Sequence, residues 1–135
     1  MAKRILGLDI GTKRIGVAIT DPLCIITREL CLIERKKDKD AQEEIKKIAV
    51  ENGVEEIVIG VPYNTDDTMG AQAQNCIDFI KPLEKDFKII YCDERYSSEE
   101  AERLLRIEGK KYTKNKGLVD LKAACLILED YIRGK

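Results

Sequence analysis

Apolar residues run almost unbroken through residues 4–9 (RILGLD) and 14–20 (RIGVAIT), and the Gly-Thr-Lys-Arg stretch between them reads as a tight turn. Residues 28–34 (RELCLIE) alternate polar and apolar as a third strand does, so the chain is expected to open with an antiparallel meander. Asp38 or Asp40 can then cap a helix carrying Ala41, Ile45, Ile48 and Ala49 at helical spacing, stopped by Asn52-Gly53. Residues 56–60 (EIVIG) form a short, continuous apolar run of the kind buried in a parallel sheet. Met69, Ala73, Cys76, Ile77 and Ile80 make a second helical stripe, and residues 88–92 (KIIYC) a last strand that exits into Asp93-Glu94-Arg95.

Ser97 and Glu100 match a capping box, opening a helix with Ala101, Leu104 and Leu105 inward. Residues 109–117 (GKKYTKNKG) hold four lysines, no acid and a glycine at each end, which predicts a mobile basic loop. A final helix is expected to bury Leu121, Ala124, Cys125, Leu128 and Ile132, with Asp120 in its first turn. The order β-β-β-α-β-α-β-α-α has no internal repeat and no linker. Three antiparallel strands followed by βαβ crossovers give an α/β fold, a mixed five-stranded sheet flanked by helices. This order resembles that of the ribonuclease H-like fold, and 135 residues suit a single domain, 1–135.

Composition narrows the chemistry. No apolar run approaches the ~20 residues of a membrane span, and Asp9 and Gly11 interrupt the strand that follows the basic N-terminus, unlike a signal peptide. A soluble, cytoplasmic protein is the expectation. The five cysteines are odd in number, widely spaced and mostly set in apolar runs, which reads as reduced core thiols. There is no histidine, which removes imidazole acid–base catalysis and His-ligated zinc. A net charge of −1 gives no global attraction for nucleic acid, so any such partner must be held by a local basic patch.

In the expected sheet the first strand lies centrally, with the strand ending at Cys92 parallel and beside it or nearby, so Asp9 and Asp93-Glu94 share the carboxyl edge where open α/β sheets bind ligands. The last helix can present Asp120 opposite them. Carboxylates packed together repel unless a cation neutralises them. An all-oxygen donor set favours Mg²⁺ or Mn²⁺ over zinc. An Asp beside a glycine turn also has an ordinary structural role, bonding backbone amides. Asp93 and Glu94 alternate in a strand, so only one of them easily faces Asp9.

The segments LDIGTKRIGVAITDP (8–22), VIGVPYNTDD (58–67), CDERYSSEEAERLL (92–105) and KGLVDLKAACLILEDYI (116–132) together closely resemble the YqgF family, relatives of the Holliday junction resolvases within the ribonuclease H-like superfamily. The resemblance covers nearly the whole chain. It implies a divalent-metal-dependent nuclease that matures the 5′ end of precursor 16S ribosomal RNA, with ribosomal particles as partners, or one that resolves branched DNA. It implies Asp9, Glu94 and Asp120 as catalytic acids binding Mg²⁺ or Mn²⁺, as two ions, and leaves monomer and homodimer both open. Asp67 stands near where the family usually has a glycine, and Ser97-Ser98 replaces a threonine pair, keeping the hydroxyl.

Lys13 and Arg14 in the first turn and Arg95 after the last strand are candidate phosphate contacts. Lys110, Lys111, Lys114 and Lys116 of the basic loop are the best candidates for gripping a nucleic-acid backbone, with Tyr112 available for stacking. The run Arg35-Lys36-Lys37 reads as a solvated turn. Two rivals stand beside this reading. The opening motif also resembles the first phosphate loop of actin-like ATPases and sugar kinases, which need a second related domain that 135 residues do not supply. A non-catalytic RNA-binding module of ribosome assembly would keep the acids for folding alone.

Overall fold

Five strands form one sheet in the order β3-β2-β1-β4-β5. The computed structural model describes residues 4–61, 70–93 and 116–133, with backbone alone at 93 and 116–120. β1 (Arg4–Ile10) and β2 (Arg14–Thr20) form the expected hairpin, and β3 (Thr27–Glu34) completes the antiparallel meander. Helix α1 (Asp38–Glu51) crosses to β4 (Val54–Val61), and α2 (Ala71–Ile80), extended by a single 3₁₀ turn at Lys81–Leu83, crosses to β5 (Lys88–Asp93). Both crossovers return parallel, β4 beside β1 and β5 beside β4. The last described helix is α3 (Lys116–Arg133).

Period-two alternation sorts the sheet onto two faces. Leu6, Leu8 and Ile10 of β1, Val17 and Ile19 of β2, and Ile57, Ile59 and Val61 of β4 pack against Ala41, Ile45 and Ala49 of α1 and Ala73, Cys76, Phe79 and Ile80 of α2. The other face is covered by α3: Ile5, Ala18 and Val58 meet Ala124, Cys125, Ile127 and Leu128. β1 and β4 are buried on both faces, which is why each reads as a nearly continuous apolar run. Each face needs one kind of helix, and three layers result.

β5 lies near β1 with β4 between them, the second of the two expected positions. Three expectations are corrected. α1 begins at Asp38 with Lys37 at its N-cap and no side-chain cap bond, because the Asp38 carboxylate is bound by Arg35 at 2.8 and 3.2 Å instead. α3 starts at Lys116, so Lys116 and Gly117 belong to a helix and not to the basic loop. Asp120 therefore stands more than a turn inside α3, beyond the first turn where the helix dipole alone would favour an acid. Met69, the helix from Ser97 to Leu105, Tyr112 and the rest of the lysine loop lie outside the described residues.

The β2–β3 connection is built around one acid. The Asp21 carboxylate accepts the backbone N–H groups of Ile25, Ile26 and Leu23 at 2.7, 2.9 and 3.2 Å. The bond from Ile26, then those from Ile25 and Leu23, hold its pKa below the usual carboxylate value. A carboxyl lowered by folding stabilises above its unfolded pKa of ~3.9, and that contribution is lost as pH falls through the folded value. Asp21→Ala is therefore expected to melt below wild type at pH 7, with the gap closing near pH 2; thermal melts at the two pH values check it.

Candidate active site

β1 ends at the centre of the sheet's carboxyl edge, and Asp9, only 9% exposed, is its penultimate residue. Two polar residues are buried over their whole length among the described residues, Asp9 and Thr20. The Thr20 hydroxyl is engaged in structure, accepting the Ile5 amide at 2.9 Å. Asp9 is paired with Gly16 across the hairpin. Leu8 pairs with Ile59, so the register brings Asp9 level with Gly60, which in turn pairs with Cys92 of β5. Both lateral neighbours of Asp9 are thus glycines, and within the sheet the space beside its carboxylate is bounded by backbone.

Asp9 shares the α3 face with Ile5 and Gly7 by alternation. Gly7 fixes how α3 lies: a Cβ there would come within 3.0 Å of the Leu128 Cβ and 3.1 Å of the Ala124 carbonyl oxygen. Farther along, the Tyr131 hydroxyl donates to Glu56 at 3.2 Å, and Glu56 pairs with Ile5 near the start of β1. α3 therefore runs antiparallel to β1, its N-terminal half toward Asp9. From Gly7 to Asp9 is about 6.6 Å along the strand. Four helical residues, about 6 Å, lead back from Ala124 to position 120. The backbone at Asp120 is brought to the level of Asp9, on the helix stripe of Ala124 and Leu128.

On β5, position 93 pairs with Val61 and is in phase with the α1/α2 face, whereas Cys92 packs on the α3 side. β5 stands two strands from β1, about 10 Å. Glu94, Arg95, Lys110, Lys111 and Lys114 lie outside the described residues. No cluster of three or more His, Cys, Asp or Glu side chains suited to a metal occurs among the described residues.

The turn after Asp9 is held from three sides. Gly11 N–H donates to the Arg14 carbonyl at 2.9 Å, and a Cβ at position 11 would lie 2.7 Å from that same oxygen, so the turn closes only around glycine. From α2, the Gln72 amide and the Cys76 thiol donate to the Ile10 carbonyl at 3.3 and 3.5 Å. Arg35 supplies the third support, and the reading of residues 35–37 as a solvated turn is corrected for Arg35, while Lys36 and Lys37 are exposed as expected. Its side chain is 5% exposed, lies 4.5 Å over the Phe79 ring and donates to the Gly11 carbonyl and to Asn75, each at 2.8 Å. Lys13 is exposed and Arg14 half-buried at this turn, beside the Asp9 edge.

The donor chemistry favours hard cations. Burial, then the nearby charge of Asp130, raises the Cys92 thiol, the sulfur level with Asp9. Burial, then Glu29, pushes Cys125 up to about 11. Both stay protonated at neutral pH and are poor metal ligands or nucleophiles. With no imidazole in the chain, carboxylate oxygen is the donor this edge offers, which suits Mg²⁺ or Mn²⁺.

Known proteins share this chain's sequence and fold. A family model described as "RuvX: Holliday junction resolvase" matches residues 3–134. A Synechococcus elongatus protein named "Putative pre-16S rRNA nuclease" is 42% identical over 129 residues, covering 94% of this chain and 87% of its own length. One of the same name from Halothermothrix orenii is 41% identical over 131 residues, 96% and 94% of the two chains. Two solved structures share the fold at low identity. T. thermophilus RuvC in complex with a Holliday junction substrate has a TM-score of 0.58 at 12% identity, covering 98% of this chain and 96% of its own. The Fowlpox virus resolvase with Holliday junction DNA has a TM-score of 0.60 at 15% identity, covering 97% of each chain. A ribonuclease H-like sheet with an acid at its central edge, a family match along almost the whole sequence and relatives above 40% identity lead to one conclusion: the chain belongs to the RuvX family, the YqgF family of its sequence motifs.

Proposed function

We propose that this chain is a divalent-metal-dependent nuclease, a single domain that hydrolyses a phosphodiester in the 5′-end maturation of precursor 16S ribosomal RNA, in the cytoplasm. The observation that carries the reading is the placement of Asp9: buried at the sheet's carboxyl edge, flanked by Gly16 and Gly60, with α3 bringing position 120 to its level. Asp9, Asp120 and Glu94 are the proposed metal-holding acids. Strand phase speaks against Asp93, which is in step with the α1/α2 face and not with Asp9, and the family motif supports Glu94. When bound, a pair of Mg²⁺ or Mn²⁺ ions would supply an activated water and stabilise the leaving oxygen.

The chain's own residues do the rest. The acids would hold the ions through carboxylate oxygens, Asp9 from β1 and Asp120 from α3, and the glycines beside Asp9 leave room for a backbone phosphate. Lys13 and Arg14, and with them Arg95, Lys110, Lys111, Lys114 and Lys116, neutralise neighbouring phosphates. Hydrolysis leaves a 5′-phosphate and a 3′-hydroxyl. Replacing the four lysines at 110, 111, 114 and 116 by Ala is expected to weaken RNA binding and flatten its salt dependence, the slope falling by roughly 0.7 for each single-strand phosphate that is no longer neutralised. Binding titrations from 50 to 200 mM salt check this, and an unchanged slope would refute the lysine grip.

The deciding experiment offers a labelled precursor 16S RNA fragment and a four-way DNA junction to the protein with Mg²⁺, Mn²⁺ or EDTA. Metal-dependent cutting of the RNA is the expected result. Cutting of the junction alone would move the function to DNA recombination, the activity in the family description. Tight RNA binding with no cutting in any metal would favour an assembly factor.

A further inference from the structure

Arg35 is the described residue whose chemistry the proposed reaction leaves unused while its geometry converges on the reacting edge. A guanidinium carries five N–H donors in a fixed plane. Here four are engaged: Nε and Nη2 by the Asp38 carboxylate at 2.8 and 3.2 Å, and Nη1 by the Gly11 carbonyl and the Asn75 side-chain oxygen, each at 2.8 Å. The Phe79 ring closes one face of the group at 4.5 Å. The backbone of the same residue binds the other end of the turn, its N–H donating to the Lys13 carbonyl at 2.9 Å. One residue thus ties together both ends of the turn that follows Asp9, the first residue of α1 and the middle of α2.

We propose that Arg35 is a positioning residue for the nuclease reaction: it locks the Gly11–Arg14 turn against α1 and α2, and so fixes the direction in which Asp9 faces the metal and Lys13 and Arg14 face the phosphate. The proposal rests on the functional reading above. Its physical basis is that a side chain two residues before Gly11 is aimed by the peptides that follow it. Those peptides are bonded at Ile10 by α2 and at Gly11 by Arg35. A lysine in place of Arg35 keeps the charge but cannot hold Gly11, Asn75 and Asp38 at once, because an ammonium lacks the planar fork.

The test uses the full chain with Arg35→Lys, and Asn75→Ala as a milder variant that removes one anchor should the first fail to fold. Three quantities are read: kcat and KM for cleavage of the precursor RNA fragment, Mn²⁺ affinity by titration without substrate, and the exchange rate of the Gly11 amide. The expected result is a kcat about tenfold lower with KM nearly unchanged, Mn²⁺ bound severalfold more weakly, and faster exchange at Gly11. A variant that loses thermal stability yet keeps wild-type kcat and Mn²⁺ affinity overturns the proposal, because a merely structural residue behaves that way. Should wild type neither cut nor bind Mn²⁺ through Asp9, the functional reading fails on its own account. The clamp is then judged at Gly11, where faster exchange in Arg35→Lys supports the lock and unchanged exchange overturns it.

Discussion

Asp9→Asn is expected to cut at least about a thousandfold more slowly than wild type while folding normally. Metal-ion catalysis contributes several kcal/mol of transition-state stabilisation, and ~4 kcal/mol corresponds to about a thousandfold in rate. Asn is nearly isosteric and keeps one oxygen, so the sheet edge between Gly16 and Gly60 is filled as before. What it loses is charge. Metal-free melts of the two proteins set the baseline. The added metal separates the two proteins. At ten times its Kd a bound ion stabilises wild type by about 1.4 kcal/mol, and this rise in melting temperature should vanish in Asp9→Asn. Differential scanning calorimetry with and without Mg²⁺, beside the cleavage assay, checks both parts. Full activity in the variant would return Asp9 to the role of a turn stabiliser.

The sequence made Asp9 legible because its signal is local: an apolar strand, an acid, then a glycine turn. The strand and helix order was legible for the same reason, each element carrying its own periodicity. What stayed hidden depends on residues far apart in the chain. Whether β5 lies beside β1 or one strand farther out stayed open, because two strands buried on both faces carry the same unbroken apolar pattern. The start of α3 at Lys116 was obscured by the lysines and glycine of 109–117, a composition that reads as loop. Gly117 costs roughly 1 kcal/mol in a helix, and the apolar stripe from Ala123 to Leu128 outweighs it. Arg35 was the largest miss. Beside Lys36 and Lys37 it looks like one more surface charge, and its burial is explained only by Asn75 and Phe79, some forty residues downstream. The N-cap position falls to Lys37, and the Asp38 carboxylate beside it is held by Arg35.

Gly7→Val is expected to damage the site without touching any acid. The Cβ it adds would already sit 3.0 Å from the Leu128 Cβ and 3.1 Å from the Ala124 carbonyl, and the two further methyls have no space of their own. Overpacking of this kind costs about 1–3 kcal/mol. The strain is relieved by moving α3 away from the sheet, because β1 is paired on both sides and cannot yield. Position 120 rides on α3 one turn beyond Ala124, so the displacement opens the gap between Asp9 and Asp120. A misplacement of about 1 Å at a reacting centre can cost on the order of a hundredfold. Ile45→Ala is the matching control. It empties a fully buried position under α1 on the opposite face, at a cost of about 2–5 kcal/mol, and leaves α3 seated. Urea unfolding should show both variants destabilised. Cleavage under folding conditions, titrated with Mg²⁺, should show Gly7→Val needing severalfold more metal and turning over more slowly, while Ile45→Ala keeps the wild-type metal requirement. Equal behaviour of the two would mean that the seating of α3 on Gly7 serves stability alone, and that Asp120 is not held to Asp9 by this packing.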